Sequence, residues 1–242
     1  MSSTTYDRIR DAYDLVFSDT HEKAPFVIDT LQRHGVRTVL ELGSGSGLFS
    51  IPIKQAGFDI EGLEISREMI AFMEKKHGDL TIHHGDIQNY RLNKQFDAIL
   101  ILSSTLVLLD SHEAIGKSLQ CSYDHLPDKG ILFLELPNHP VEIRKSNHTQ
   151  EVHTDDNKAM IVVIQSHATD KLWRENWSIF RQEHGKFTQE TTVCDELLYA
   201  PQILASQLRD TGFEIIETYG DLFGNPFDEN NSWRRVWICR KQ

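Results

Sequence analysis

The chain has 242 residues, with 25 basic and 36 acidic side chains and a formal charge of −11. That length suits one large domain, or one domain with an added piece, and 39% hydrophobic with 25% charged residues excludes a disordered chain. The acid excess opposes nucleic-acid binding, which Lys and Arg sustain through phosphate contacts, and no basic run supplies a local patch.

In chain order, residues 1–14 have neither a basic n-region nor an apolar h-region, so no signal peptide is expected. Ile9, Tyr13, Val16 and Phe17 share one face of an N-terminal helix, with Tyr6 one heptad before Tyr13. Gly35 then reads as a helix C-cap. Five strands are expected at 36–41, 58–64, 80–84, 96–102 and 130–136, with helices at 47–55, 66–76 and 111–126 between them. Pro52 inside the first of those helices predicts a short or kinked element. The most apolar run, 96–109, is too short to span a bilayer.

After Pro137 the pattern turns to β-prone segments at 158–167, 172–182 and 187–198. Turn signals at 169–171 and His184-Gly185-Lys186 separate them, so a three-stranded antiparallel insertion is expected. A helix at 201–210 closed by Gly212 and strands at 213–219 and 233–240 complete the chain, with Trp233 and Trp237 expected in the core. Cys121, Cys194 and Cys239 are odd in number and far apart, which opposes a disulfide framework. The expected fold class is α/β: a doubly wound, seven-stranded, mostly parallel sheet with a small antiparallel β cap inserted after the fifth strand. Residues 1–136 and 201–242 would form the sheet domain and 137–200 the cap.

The chemistry concentrates at three strand ends. In VLELGSGSG (39–47) a strand runs into Gly43, Gly45 and Gly47, where the backbone can turn sharply and approach a ligand with no Cβ in the way. The spacing is neither the dinucleotide GxGxxG, whose third glycine would replace Leu48, nor a P-loop, which needs Gly-Lys-Ser/Thr. Glu64 ends the second strand about 20 residues on, where a carboxylate accepts from ribose hydroxyls. Asp86 and Ile87 follow the third, placed to meet an adenine edge and face. Each has a plain structural alternative: a βα turn, a solvated charge, an Asx turn. Their joint appearance at successive strand C-termini points to one ligand, because open α/β sheets bind ligands there.

These motifs resemble those of class I S-adenosylmethionine-dependent methyltransferases. ELGSGSG is similar to the family's first motif, with Glu41 at its acidic position; GLEISREMI, GDIQNY and FDAILILSSTLVLLDS are similar to the next three, and LPDKGILFLEL to the fifth strand. The resemblance implies a Rossmann-like methyltransferase fold with S-adenosyl-L-methionine as cofactor. It implies that Gly43, Ser44, Gly45 and Gly47 line the methionine part, that Glu64 holds the ribose, and that Ile65 and Met69 flank adenine. It further implies that Asp86 and Ile87 contact adenine's edge and that Leu102 and Ser103 lie near the methionine. The AYDLVF start, the insertion and the ending GFEIIETYGDLFGNPFDENNSWRRVWICR are similar to antibiotic-sugar-type N-methyltransferases, which puts Tyr13 over the cofactor beside the methyl.

Methyl transfer needs a dry pocket, a fixed approach angle and an unprotonated nucleophile. Tyr13 and His139 are the candidate bases, His139 having an exposed loop histidine as its plain alternative. Tyr6, Asn138, Trp173 and Trp177 are candidate substrate contacts, the two tryptophans sharing one strand face. No His-x-x-x-His or His-Glu-x-x-His pairing occurs, so no metal is expected. The expected protein is a cytoplasmic small-molecule methyltransferase, with N favoured over O as acceptor. It would use no nucleic acid and no membrane, with a homodimer through the cap as its assembly. An O-methyltransferase, a catalytically silent cofactor-binding protein of the same fold and an RNA or protein methylase are the alternatives.

Overall fold

The structure, a computed structural model, describes residues 4–157, 159–183 and 185–242. Lys158, expected to open a strand, and His184, expected in a turn, lie outside the described residues. Two helices, α1 (Thr4–Val16) and α2 (Thr20–Arg33), precede an alternating β/α run. It comprises β1 (Thr38–Leu42), α3 (Ser50–Gln55), β2 (Asp59–Glu64), α4 (Arg67–His77), β3 (Thr81–His84), β4 (Ala98–Ile101), α5 (His112–Asp124) and β5 (Ile131–Pro137). A 3-10 turn, Thr105–Leu108, follows β4. The cap carries α6 (His139–Ser146) and strands β6 (Thr149–Thr154), β7 (Met160–Ala168), β8 (Leu172–Glu183) and β9 (Lys186–Leu197). Helix α7 (Pro201–Thr211), β10 (Phe213–Tyr219) and β11 (Arg234–Lys241) close the chain.

The main sheet has the order β10-β11-β5-β4-β1-β2-β3. Strands β1 to β5 are parallel, and β11 runs antiparallel to both its neighbours. All seven residues of β5 and all four of β4 are buried, because helices cover both faces. On one face the core includes Ile115 and Leu119 of α5 with Leu204 and Leu208 of α7; on the other, Val27 and Leu31 of α2 with Ile53 of α3. The strand order reverses between β1 and β4, and an open α/β sheet leaves its ligand crevice at such a point.

Several expectations need correction. The cap has four strands, in the order β6-β7-β8-β9, rather than three. Its extra strand, TQEVHT, is a polar edge strand that shows no alternation to read. Helix α6, eight residues with Pro140 in its first turn, was not foreseen either. Trp233 is 45% exposed and precedes β11, so only Trp237 joins the core. Pro52 falls in the first turn of the six-residue α3, where its missing N–H costs little. Helix α1 packs on the cap: Ile9 and Ala12 are fully buried with Val162, Trp177, Ile179 and Cys194. Arg181 of β8 reinforces that contact with two bonds to Asp11, 2.5 and 2.9 Å long.

Candidate active site

A cleft of about 780 Å³, including its open mouth, lies over the C-terminal ends of β1 to β4. Gly43, at φ +71°, begins its floor, and a Cβ there would sit 2.5 Å from Thr105 Cγ2. The glycine is therefore required both by backbone conformation and by the approach of the 3-10 turn. Glu64 reaches back under the loop: its Oε2 accepts the Gly45 N–H at 2.9 Å and its Oε1 accepts the Ser66 N–H at 2.8 Å. Burial raises the Glu64 carboxyl above its ordinary range, and the backbone N–H groups oppose that rise. Ile65, Met69 and Ile87 supply the apolar walls, and Asp86 lines the cleft while accepting the Gln88 N–H at 2.9 Å.

Tyr6 and Tyr13 roof the cleft from α1, their rings 6.3 Å apart. The aspartate after each tyrosine ties α1 to the cofactor loops: Ser66 Oγ donates to Asp7 at 2.5 Å and Ser46 Oγ donates to Asp14. These two aspartates escaped the sequence reading, although the repeated Tyr-Asp dipeptide, seven residues apart, was the signal for them. Burial holds the Tyr13 phenol well above its usual range, with Ser103 opposing. Burial thus favours the neutral Tyr13 phenol, an O–H donor, over the phenolate that a base would need. Ser103 and Ser104 adopt left-handed φ of 50° and 61°, local strain of the kind that collects at functional sites.

Of the expected cofactor residues, Gly43, Gly45, Glu64, Ile65, Met69, Asp86, Ile87, Ser103 and Tyr13 line this cleft, and Tyr6, expected at the substrate, joins them. Glu41, Ser44, Gly47 and Leu102 instead support it from behind. Glu41 is buried and accepts the Ser50 hydroxyl of α3; burial pushes its carboxyl up to about 8. Ser44 packs against Gly62 so closely that a Cβ at Gly62 would collide with it, Gly47 packs against Ile51 and Met73, and Leu102 is core. Gln88, Thr105, Leu108 and Leu109 also line the cleft and were not singled out from sequence.

A second cavity opens beneath the cap, and Ser103 lines both. Phe17, packed 4.5 Å from Tyr13 between ring centroids, borders it together with Phe49, Trp173 and Phe223. Five carboxylates line it, Glu135, Glu142, Glu175, Glu196 and Asp221, with the cations Arg234 and Lys23 among them. Arg234 bonds Glu135 Oε1, donates to Ser104 Oγ at 2.7 Å and lies 3.6 Å from Glu142 Oε1. Burial opposes ionisation of Glu135, yet the Arg234 guanidinium keeps it below the usual carboxylate range. Glu175 accepts the indole N–H groups of Trp177 at 3.0 Å and Trp173 at 3.4 Å, and burial raises it.

His139 is not an exposed loop residue: it opens α6 at 2% exposure and lines neither cavity. Its Nδ1 lies 3.1 Å from Glu142 Oε2 and its Nε2 3.8 Å from Glu196 Oε2, beside the Trp173 and Tyr199 rings. Asn138 is turned away from both cavities, its amide donating to the Ser232 and Glu229 carbonyls at 2.8 and 3.3 Å. Trp177 lies in the contact between α1 and the cap. Among the described residues no cluster of three or more His, Cys, Asp or Glu side chains is arranged to hold a metal ion, and no helix is long and apolar enough to cross a membrane.

The glycine cradle, the acidic strand ends and the roofed cleft fit an adenosyl ligand, and comparison with known proteins agrees. The methyltransferase domain family matches residues 17–218. A glycine/sarcosine N-methyltransferase of Aphanothece halophytica is 32% identical over 225 residues, covering 89% of this chain and 80% of its own. The dTDP-3-amino-3,6-dideoxy-alpha-D-glucopyranose N,N-dimethyltransferase of Streptomyces fradiae is 26% identical over 133 residues, 52% of each chain. The crystal structure of an S-adenosylmethionine-dependent methyltransferase from Clostridium acetobutylicum superposes with TM-score 0.85 at 15% identity, covering 98% of both chains. The chain belongs to the S-adenosylmethionine-dependent methyltransferases.

Proposed function

We propose that the methyl acceptor is the amine of a small molecule, bound in the cavity beneath the cap. The observation that carries this is the excess of five carboxylates over two cations in a cavity that meets the cofactor cleft at Ser103. An amine arrives as a cation, which carboxylates and aromatic faces attract, whereas a neutral hydroxyl gains little from that excess of charge. The names of the relatives, a glycine/sarcosine N-methyltransferase and an amino-sugar N,N-dimethyltransferase, support the same class.

S-adenosylmethionine, when bound, supplies a methyl group on a sulfonium that is open to in-line displacement by a lone pair. The chain's own residues do the rest. Gly43 and Gly45 would admit the ligand close to the backbone, and Glu64 would hold the ribose hydroxyls. Ile65, Met69 and Ile87 would enclose the adenine, with Asp86 at its edge. Tyr6 and Tyr13 exclude water, and Tyr13 with Ser103 borders the transfer path. Orienting the two reactants in this way supplies about 7–11 kcal/mol of the barrier. In this proposal residues 137–200 act as the acceptor-binding cap on a cofactor domain made of 1–136 and 201–242.

The same reading places the enzyme in the cytoplasm, acting on no nucleic acid, as a homodimer through the cap, whose strands expose Val152, Phe187 and Val193. Transfer of labelled methyl from S-adenosylmethionine tests the acceptor class. Glycine, sarcosine and a 3-amino sugar nucleotide are offered beside glycolate and the matching hydroxy sugar nucleotide. Label in an amine and in none of the hydroxy compounds is expected; preferential labelling of a hydroxy compound contradicts the proposal.

A further inference from the structure

The five carboxylates of the second cavity are not equivalent: Asp221 accepts the Phe223 and Asn225 N–H groups of its own loop. Glu142 approaches His139 and Arg234, and Glu175 is occupied by two indole N–H groups. Glu135 is 4% exposed, with Oε1 bonded to Arg234 and Oε2 without a partner at the cavity wall. Among the described residues Glu196 has no Lys or Arg in contact, and the His139 imidazole lies 3.8 Å behind it. The two buried imidazole nitrogens of His139 themselves make no well-aligned hydrogen bond.

We infer that Glu196 is the catalytic residue that accepts the proton of the bound ammonium, that Glu135 holds that ammonium through its free Oε2, and that His139 positions Glu196. The inference rests on the amine proposal above and adds a division of labour to it. In the step, one N–H bond of the ammonium breaks and an O–H bond forms on Glu196. The electron pair stays on nitrogen, free to attack the methyl carbon.

Two further observations favour Glu196 over its neighbours. Burial, then Glu175 and Glu142, push its carboxyl well above the ordinary range, while Arg234 holds Glu135 below it. Paired carboxyls driven apart in this way divide into a proton carrier and a permanent charge. Glu196 also stands close enough to Tyr6, in the cofactor cleft, to raise its phenol. The groups facing Glu196 are Tyr6 from α1, Glu135 from β5, His139 and Glu142 from α6, and Glu175 from β8. Cys194 of its own strand, Tyr199 and Arg234 complete them.

Methylammonium is the fragment common to the simplest amine acceptors, and its binding to the whole enzyme is measured by calorimetry at pH 7 in two buffers of different ionisation enthalpy. Wild type is expected to release protons on binding, because burial and the neighbouring Glu175 and Glu142 favour the protonated Glu196 carboxyl in the empty site, whereas a bound cation favours its ionised form. Glu196→Gln is expected to bind without release, and Glu135→Gln to bind about tenfold more weakly with release retained. Turnover adds a second readout on any amine the wild type methylates. At pH 7 Glu196→Gln loses at least about 100-fold in kcat, a typical share for a proton-transfer residue, and the gap narrows about tenfold per pH unit towards the amine's own pKa. Glu196→Asp restores part of the loss. Proton release equal in wild type and Glu196→Gln, or a variant that changes KM alone, overturns the assignment. Failure of the wild type to bind methylammonium or to methylate any amine overturns the amine proposal together with it.

Discussion

Tyr13 carries the sharpest residue-scale claim. Its buried phenol faces Ser103 and packs on Phe17, so it sits between the cofactor cleft and the cavity beneath the cap. Tyr13→Phe keeps the ring and removes one hydrogen bond, and the account expects kcat to fall about tenfold, equivalent to ~1.4 kcal/mol, with an unchanged melting curve. Unaltered turnover removes the hydroxyl from the site. Asp86→Ala removes a carboxylate at the expected adenine edge and should weaken S-adenosylmethionine binding by about 10- to 100-fold, or ~1.5–3 kcal/mol for a bond to a charged group. Calorimetric titration checks it, and an unchanged dissociation constant places Asp86 in its Asx turn alone. Gly43, Gly45, Glu64, Asp86 and Ile87 were legible because each sits at or just after a strand end at a recognisable spacing, whereas Gln88, Thr105, Leu108 and Leu109 carry no such signal. The acceptor carboxylates were not legible either, since Glu135, Glu142, Glu175 and Glu196 come from β5, α6, β8 and β9 and meet only in the folded chain.

At the scale of elements, the βα turn after β1 and the 3-10 turn after β4 interlock. Gly43→Ala forces φ +71° on a residue with a Cβ and drives that carbon to 2.5 Å from Thr105. Backbone strain of this kind costs about 1–3 kcal/mol, so chemical denaturation should show a loss of at least that size together with loss of cofactor affinity. Stability within a few tenths of a kcal/mol of wild type contradicts the interlock. Strands β1, β4 and β5 were readable from their apolar runs, because a parallel sheet covered on both faces needs them, and β2 from its alternation. Strand β6 was not, because TQEVHT is an exposed edge with one apolar residue, Val152. Helix α6 was missed because eight residues after Pro137 give barely two turns of periodicity. Trp233 shares parity with Trp237 but lies just outside β11, where parity no longer decides which side a residue faces.

For the whole molecule, the charge of −11 has a buried component with a definite pH signature. Glu41 is raised to about 8 by burial, and Glu64, Glu175 and Glu196 are raised in the same direction. The folded protein therefore binds more protons than the unfolded chain between about pH 4.5 and 8, and stability falls as pH rises through that window. Carboxylates that are lowered, such as Glu135, Asp97 and Glu217, act oppositely and at more acidic pH. The melting temperature without cofactor should thus be higher at pH 5.5 than at pH 8, and Glu41→Gln should flatten the difference; a melting temperature that climbs across the interval contradicts this. Two of these raised carboxylates, Glu175 and Glu196, line the second cavity, where the proposed cationic acceptor would meet them. The most direct test is an acceptor carrying both groups on one molecule. Tandem mass spectrometry locates the methyl in the products formed from a panel of amino alcohols and S-adenosylmethionine. The account predicts methyl on nitrogen alone, and methyl on oxygen would contradict it.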